Sequence, residues 1–235
     1  GLSQAHYIVL MYLLLHMLIV LYASNIINGG KVPDDSMQFM ASLQYNKTHE
    51  CGGFLISEDL VLTAAHCNET NSVVLGTHHL SSATDDMRYD VKKMCRHPNF
   101  KKTYLGNDIM ILKLSRKAQG SIQIIDRGSV SGTSCQVAGW GYASAKRTPV
   151  NDLQQIFVQI VTDKVCKKKW GNGLPHSTIC AGGMNTGKGI CQGDSGGPLV
   201  CNNKAVGIVN GLPNVYTNIS EFSPWIDKIV EKGDC

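Results

Sequence analysis

Ser195 lies in Gly193-Asp194-Ser195-Gly196-Gly197-Pro198, where flanking residues without a Cβ let the backbone bend sharply and come close to a ligand. A serine hydroxyl is a weak nucleophile until a neighbouring base takes its proton and a third group orients that base. The chain offers both partners: His66 in Leu62-Thr63-Ala64-Ala65-His66-Cys67, and Asp108 in Gly106-Asn107-Asp108-Ile109-Met110-Ile111-Leu112. Each has a bland alternative. A His beside a Cys is often structural, an Asp after Asn often makes a turn, and Gly-Asp-Ser can be a plain loop. Acting jointly, the three would make an activated nucleophile, its base and the group that orients the base.

Such a trio, spread over most of the chain, needs a rigid scaffold. With 235 residues and 43% hydrophobic content, the chain can build a substantial core and is not disordered. Short apolar runs at Gly53 to Ile56, Val73 to Leu75, Ile109 to Leu114, Gln136 to Ala138, Ile156 to Val161 and Ala205 to Val209 alternate with turn residues. That spacing argues for an all-β sandwich or barrel. Ser223-Pro224 opens one helix at the end, with Trp225, Ile226, Ile229 and Val230 at helical intervals. No internal repeat or low-complexity linker is visible.

Residues 1–25 contain no Lys, Arg, Asp or Glu, and Tyr7 to Tyr22 is almost wholly apolar before Ala23. This reads as a signal peptide over 1–23. A membrane anchor is the competing reading, but the run of about 16 residues is shorter than the roughly 20 a spanning helix needs. The net charge of +4 is modest. Lys167-Lys168-Lys169, Lys92-Lys93 and Lys101-Lys102 are either solvated faces or a meeting place for anionic glycans such as proteoglycan. The aromatic interleaving of a nucleic-acid platform is missing. Nine cysteines in a secreted chain imply a disulfide framework with at least one thiol left over, and their spacing is not that of a zinc site. Glycosylation sequons begin at Asn46, Asn68 and Asn218; sugar is expected on Asn46 and Asn68, whereas Asn218 sits in a strand-like run beside Tyr216.

The three chemical motifs, in the order His, Asp, Ser, resemble those of the chymotrypsin and trypsin family of serine endopeptidases. The Pro33 to Gln44 passage resembles the granzyme and mast-cell protease branch. The resemblance implies two packed six-stranded antiparallel β-barrels, about 26–129 and 130–235, with the C-terminal α-helix. It makes His66, Asp108 and Ser195 the catalytic triad and gives Gly193 and Ser195 the oxyanion hole. It implies disulfides Cys51–Cys67, Cys135–Cys201 and Cys166–Cys180. Ile26, freed by removal of the dipeptide 24–25, would turn inward to pair with Asp194, so the protein is made as a zymogen. Gly189 lies at the floor of the primary pocket, followed by Ile190, with Asn214 nearby; an uncharged floor implies an apolar rather than a basic preference. No cofactor or metal is required. The partners implied are protein or peptide substrates and protease inhibitors, for a secreted or granule-stored monomer without a membrane anchor.

The chain departs from the family after Val209, where Asn210-Gly211-Leu212-Pro213-Asn214 leads directly to Val215-Tyr216. About eight or nine residues of one pocket wall, and of the edge that pairs with an extended substrate, are missing. Asn210 stands where the family places a serine near the triad carboxylate. Cys191 loses its usual partner in that segment, and parity then suggests Cys95 with Cys235. Three readings stay open: an active endopeptidase, a binding protein on a protease scaffold, and a shortened transcript.

Overall fold

The computed structural model describes residues 29–119, 125–128, 130, 134–141, 150–175, 177–182, 193–212 and 214–235. The signal peptide expected over 1–23 and the activation dipeptide expected at 24–25 lie outside them. The first half is a closed barrel in the order β2-β3-β4-β7-β6-β5, from β2 (Met40–Tyr45), β3 (Thr48–Ser57), β4 (Leu60–Thr63), β5 (Ser72–Val74), β6 (Arg88–Arg96) and β7 (Met110–Leu114). β2 and β3 are joined through Asn46 and Lys47, with φ of 50° and 66°, the left-handed pair that matches strand twist in a two-residue hairpin. Leu43, Phe54, Leu62 and Ile111 point inward and are fully buried.

The second half is a seven-stranded antiparallel sheet in the order β1-β9-β8-β11-β12-β13-β10. Its members are β1 (Gly30–Lys31), β8 (Ser134–Gly139), β9 (Gln154–Gln159), β10 (Thr178–Cys180), β11 (Pro198–Cys201), β12 (Lys204–Val209) and β13 (Val215–Asn218). The far edge returns to β9 just past the strand ends, through the Ile160–Ala181 bridge, Val161 N–H to Cys180 O (3.0 Å) and Gly182 N–H to Gln159 O (2.8 Å). Six strands thereby curl into a second barrel-like layer, and β1 is a seventh on β9. Asn202 and Asn203, at φ 49° and 59°, repeat the left-handed hairpin device between β11 and β12.

Two helices complete the frame. α1 (Asp163–Trp170) was not expected, because it buries only Cys166 and carries three lysines in its last turn, leaving little apolar periodicity to read. Its signals are polar: the Thr162 side chain accepts from Val165 N–H, Asp163 lies in the first turn and Lys167 to Lys169 lie in the last, matching the helix dipole at both ends. α2 (Ser223–Lys232) starts at the Ser-Pro pair, buries Ile226 and Ile229, and stops at Gly233 in the left-handed conformation (φ 64°). It belongs to the second half by sequence but packs on the first. His97 meets the rings of Phe222 and Trp225 edge-on at 5.2 Å each, and Cys235 is disulfide-bonded to Cys95.

Candidate active site

β4 ends at Thr63, and the buried Ala64 and Ala65 carry the chain into a turn closed by Cys67 N–H to Ala64 O (3.2 Å), which leaves the His66 side chain 26% exposed. Asp108 precedes β7 from a kink in which Asn107 is left-handed (φ 56°) and Ile109 N–H bonds Asn107 O (2.9 Å). The kink drives the carboxylate inward, where it is 1% exposed. Its Oδ2 lies 2.7 Å from His66 Nδ1, and its Oδ1 accepts the His66 backbone N–H at 3.0 Å. An acceptor-only carboxylate against Nδ1 places the neutral imidazole's proton there and leaves Nε2 with a free lone pair. The Asp108 carbonyl accepts from Thr217 Oγ1 on β13 at 3.1 Å.

The Ser195 loop is held from both halves. Gly196 N–H bonds Val209 O (2.8 Å), Val209 N–H bonds Gly197 O (2.9 Å), and Gly52 N–H of the first barrel bonds Ser195 O (2.8 Å). Gly196 has φ +84°, and a Cβ there would run into Thr63 Oγ1 and Gly52 O, so both conformation and space require glycine. The Cys51–Cys67 disulfide lies against both partners: Cys67 Sγ is 3.7 Å from Ser195 O, and its sulfurs stand within 4.8 Å of the His66 ring. That Cys-His-Cys cluster is no metal centre, since disulfide sulfurs are not thiolates. His66, Asp108 and the Ser195 loop therefore meet at one seam between the halves.

Asp194 is fully buried; its Oδ1 accepts Gly141 N–H at 2.8 Å, and a side chain at Gly139 or Gly141 would collide with its carboxylate. Ile26, Gly189, Ile190 and Cys191 lie outside the described residues. Asn210 is buried, and its Oδ1 accepts Leu212 N–H (2.8 Å) within the five-residue turn from β12 to β13. Asn214, left-handed at φ 61°, passes its carbonyl to Ala181 N–H (3.2 Å). Leu212 packs on the patch formed by Cys166, Cys180 and Val215. Asn46 and Asn68 are both exposed. Cys51–Cys67, Cys95–Cys235, Cys135–Cys201 and Cys166–Cys180 are bonded.

One contact of the nucleophile loop escapes sequence reasoning. His49 on β3 is 3% exposed, with Nδ1 2.8 Å from Ser42 Oγ and Nε2 2.9 Å from Gly193 O. The carbonyl can only accept, so Nε2 carries the proton and Nδ1 accepts from Ser42. Burial lowers the His49 pKa to about 4, partly offset by the Gly193 carbonyl. The legible clue was alternation, since His49 shares the inward face of β3 with Cys51.

The family described as trypsin matches residues 26–226. The chain belongs to the trypsin family. Among curated relatives, it is 36% identical to duodenase-1 of Bos taurus over 228 residues, covering 89% of this chain and 91% of that protein. It is 37% identical to human cathepsin G (Homo sapiens) over 222 residues, covering 87% of each. Among solved structures, mouse neuropsin, a serine protease, superposes with a TM-score of 0.77 at 30% identity, covering 86% of this chain and 99% of the other. As a trypsin-family member with these relatives, the chain is a serine-type endopeptidase acting on protein substrates. Among the described residues, no helix is long and apolar enough to cross a membrane.

Proposed function

We propose that the protein is a secreted, granzyme-like or mast-cell-protease-like endopeptidase in which Ser195 attacks the scissile carbonyl while His66 takes its proton and later gives it to the leaving amine. Asp108 holds the imidazole tautomer and stabilises its cationic form. The backbone N–H groups of Gly193 and Ser195 receive the developing oxyanion, each such donor typically lowering the barrier by about 3 kcal/mol. The observation that carries this reading is the buried Asp108 carboxylate at 2.7 Å from His66 Nδ1, beside a disulfide that also touches the Ser195 carbonyl. The buried Asp194 carboxylate, packed against Gly139 and Gly141, pairs with the amine of Ile26 once that amine is freed, so activity begins only after cleavage before that residue. Gly189, Ile190 and Asn214 offer no charge to a basic substrate side chain, which favours an apolar residue before the scissile bond. Asn46 and Asn68 carry glycans, protease inhibitors occupy the same cleft as substrate, and the monomer is stored against anionic proteoglycan through its lysine clusters.

The short β12–β13 turn favours a second reading, an impaired homologue that binds without cutting. Its backbone is turned inward: Asn210 N–H goes to Val215 O (3.4 Å) and Val215 N–H to Leu212 O (3.2 Å), which leaves less edge for an extended substrate to join. Protein matured at Ile26 and treated with a serine-directed phosphonate separates the two. Labelling of the parent but not of Ser195→Ala supports the enzyme; a folded protein that takes no label supports the binding role. Rapid cleavage after Arg in a chromogenic panel overturns the apolar preference.

A further inference from the structure

Asp108 sits in the first barrel, yet its backbone is held by the second. Thr217 is 2% exposed in β13, between Ile208 of β12 and Thr178 of β10, and its Oγ1 donates to the Asp108 carbonyl at 3.1 Å. The same β12–β13 hairpin holds the nucleophile loop through the paired bonds between Val209 and Gly196 and Gly197. One hairpin thus grips the carboxylate end of the triad through a hydroxyl and the serine end through backbone ladders. Asp108 needs that grip, because it lies on a kink rather than in a strand. Asn107 is left-handed, and the first regular β7 residue is Met110. A carbonyl buried at this seam without its donor would pull the kink toward another partner and carry the carboxylate with it.

We propose that Thr217 is a positioning residue for the triad: its hydroxyl ties the Asp108 carbonyl to the hairpin that carries the nucleophile loop and so fixes the carboxylate against His66. The proposal rests on the protease reading of His66, Asp108 and Ser195. Thr217→Val keeps the shape and removes the donor; Thr217→Ser returns the donor without the methyl. In protein matured at Ile26, Thr217→Val lowers kcat about ten- to a hundredfold with KM nearly unchanged, as expected for a displaced orienting group. The far-downfield proton resonance of the short His66 Nδ1–H bond to Asp108 shifts upfield or disappears, and Thr217→Ser restores both rate and resonance. If Thr217→Val does not fold, Thr217→Cys, whose thiol is a much weaker donor in a side chain of similar size, replaces it. An unchanged resonance in the folded valine or cysteine variant overturns the proposal whatever the rate, and so does a Thr217→Ser protein as impaired as Thr217→Val. Absence of phosphonate labelling in the parent would defeat the protease reading instead, while the resonance, which needs no turnover, still decides the part played by Thr217.

Discussion

Acidification should loosen the Ser195 loop through His49. The imidazole is buried as a neutral ring, donating from Nε2 to Gly193 O and accepting at Nδ1 from Ser42, with its folded pKa near 4 against an ordinary 6.5. Between those values the unfolded chain binds a proton that the folded protein refuses. Stability is therefore full above pH 6.5 and falls as pH drops toward 4. At roughly 1.4 kcal/mol for each tenfold in proton affinity, the difference amounts to about 3 kcal/mol, a sizeable share of a typical domain's stability. The Gly193 peptide is the contact at stake, so the oxyanion loop should give way with it.

The assay is urea unfolding at pH 7, 5.5 and 4, on a Ser195→Ala background to prevent autolysis, with and without His49→Gln. Burial also lowers the pKa of His78 and His97, but both titrate alike in the two proteins and cancel in the difference. The protein with His49 should lose about 3 kcal/mol more than the glutamine variant on going from pH 7 to pH 4. Parallel stability curves would refute the reasoning, since a ring that protonates as easily folded as unfolded contributes no slope.

Four further outcomes are expected. Asp108→Asn should lower kcat about 10⁴-fold while leaving the fold intact, read by steady-state kinetics and circular dichroism. Gly196→Ala, which combines a left-handed φ with collision against Thr63 and Gly52, should cost several kcal/mol or abolish secretion; a melting temperature equal to the parent's would contradict the steric account. Replacing both Cys95 and Cys235 by Ser should cost about 2–5 kcal/mol, measured by thermal denaturation. With nine cysteines and eight in the described bridges, thiol titration of unfolded, unreduced protein should find one thiol per chain, assigned by peptide mapping to Cys191.

What could be read from the sequence was whatever a short segment declares by itself. The strand runs fall within or beside β3, β5, β7, β8, β9 and β12, and Ser223-Pro224 marks the start of α2. The segments bearing His66 and Asp108 were legible because each pairs a reactive residue with distinctive neighbours. Contacts between distant residues were not: nothing near His49 points to Gly193, and nothing near Thr217 points to Asp108. α1 was hidden because capping and charge rather than an apolar stripe define it. β9 was read slightly late, beginning at Ile156, because Gln154 and Gln155 look like loop residues yet pair with Gly139 and Ala138.

Three of the four disulfides close within one half of the molecule, but Cys95–Cys235 joins a first-barrel strand to the final residue of the chain. A protease that nicked the polypeptide anywhere between Cys95 and Cys135 would therefore produce two pieces that stay covalently linked. Such a clipped molecule would migrate as a single band on a non-reducing gel and separate into two only after thiol treatment, so damage at the crossover between the barrels would be silent until the terminal link was opened.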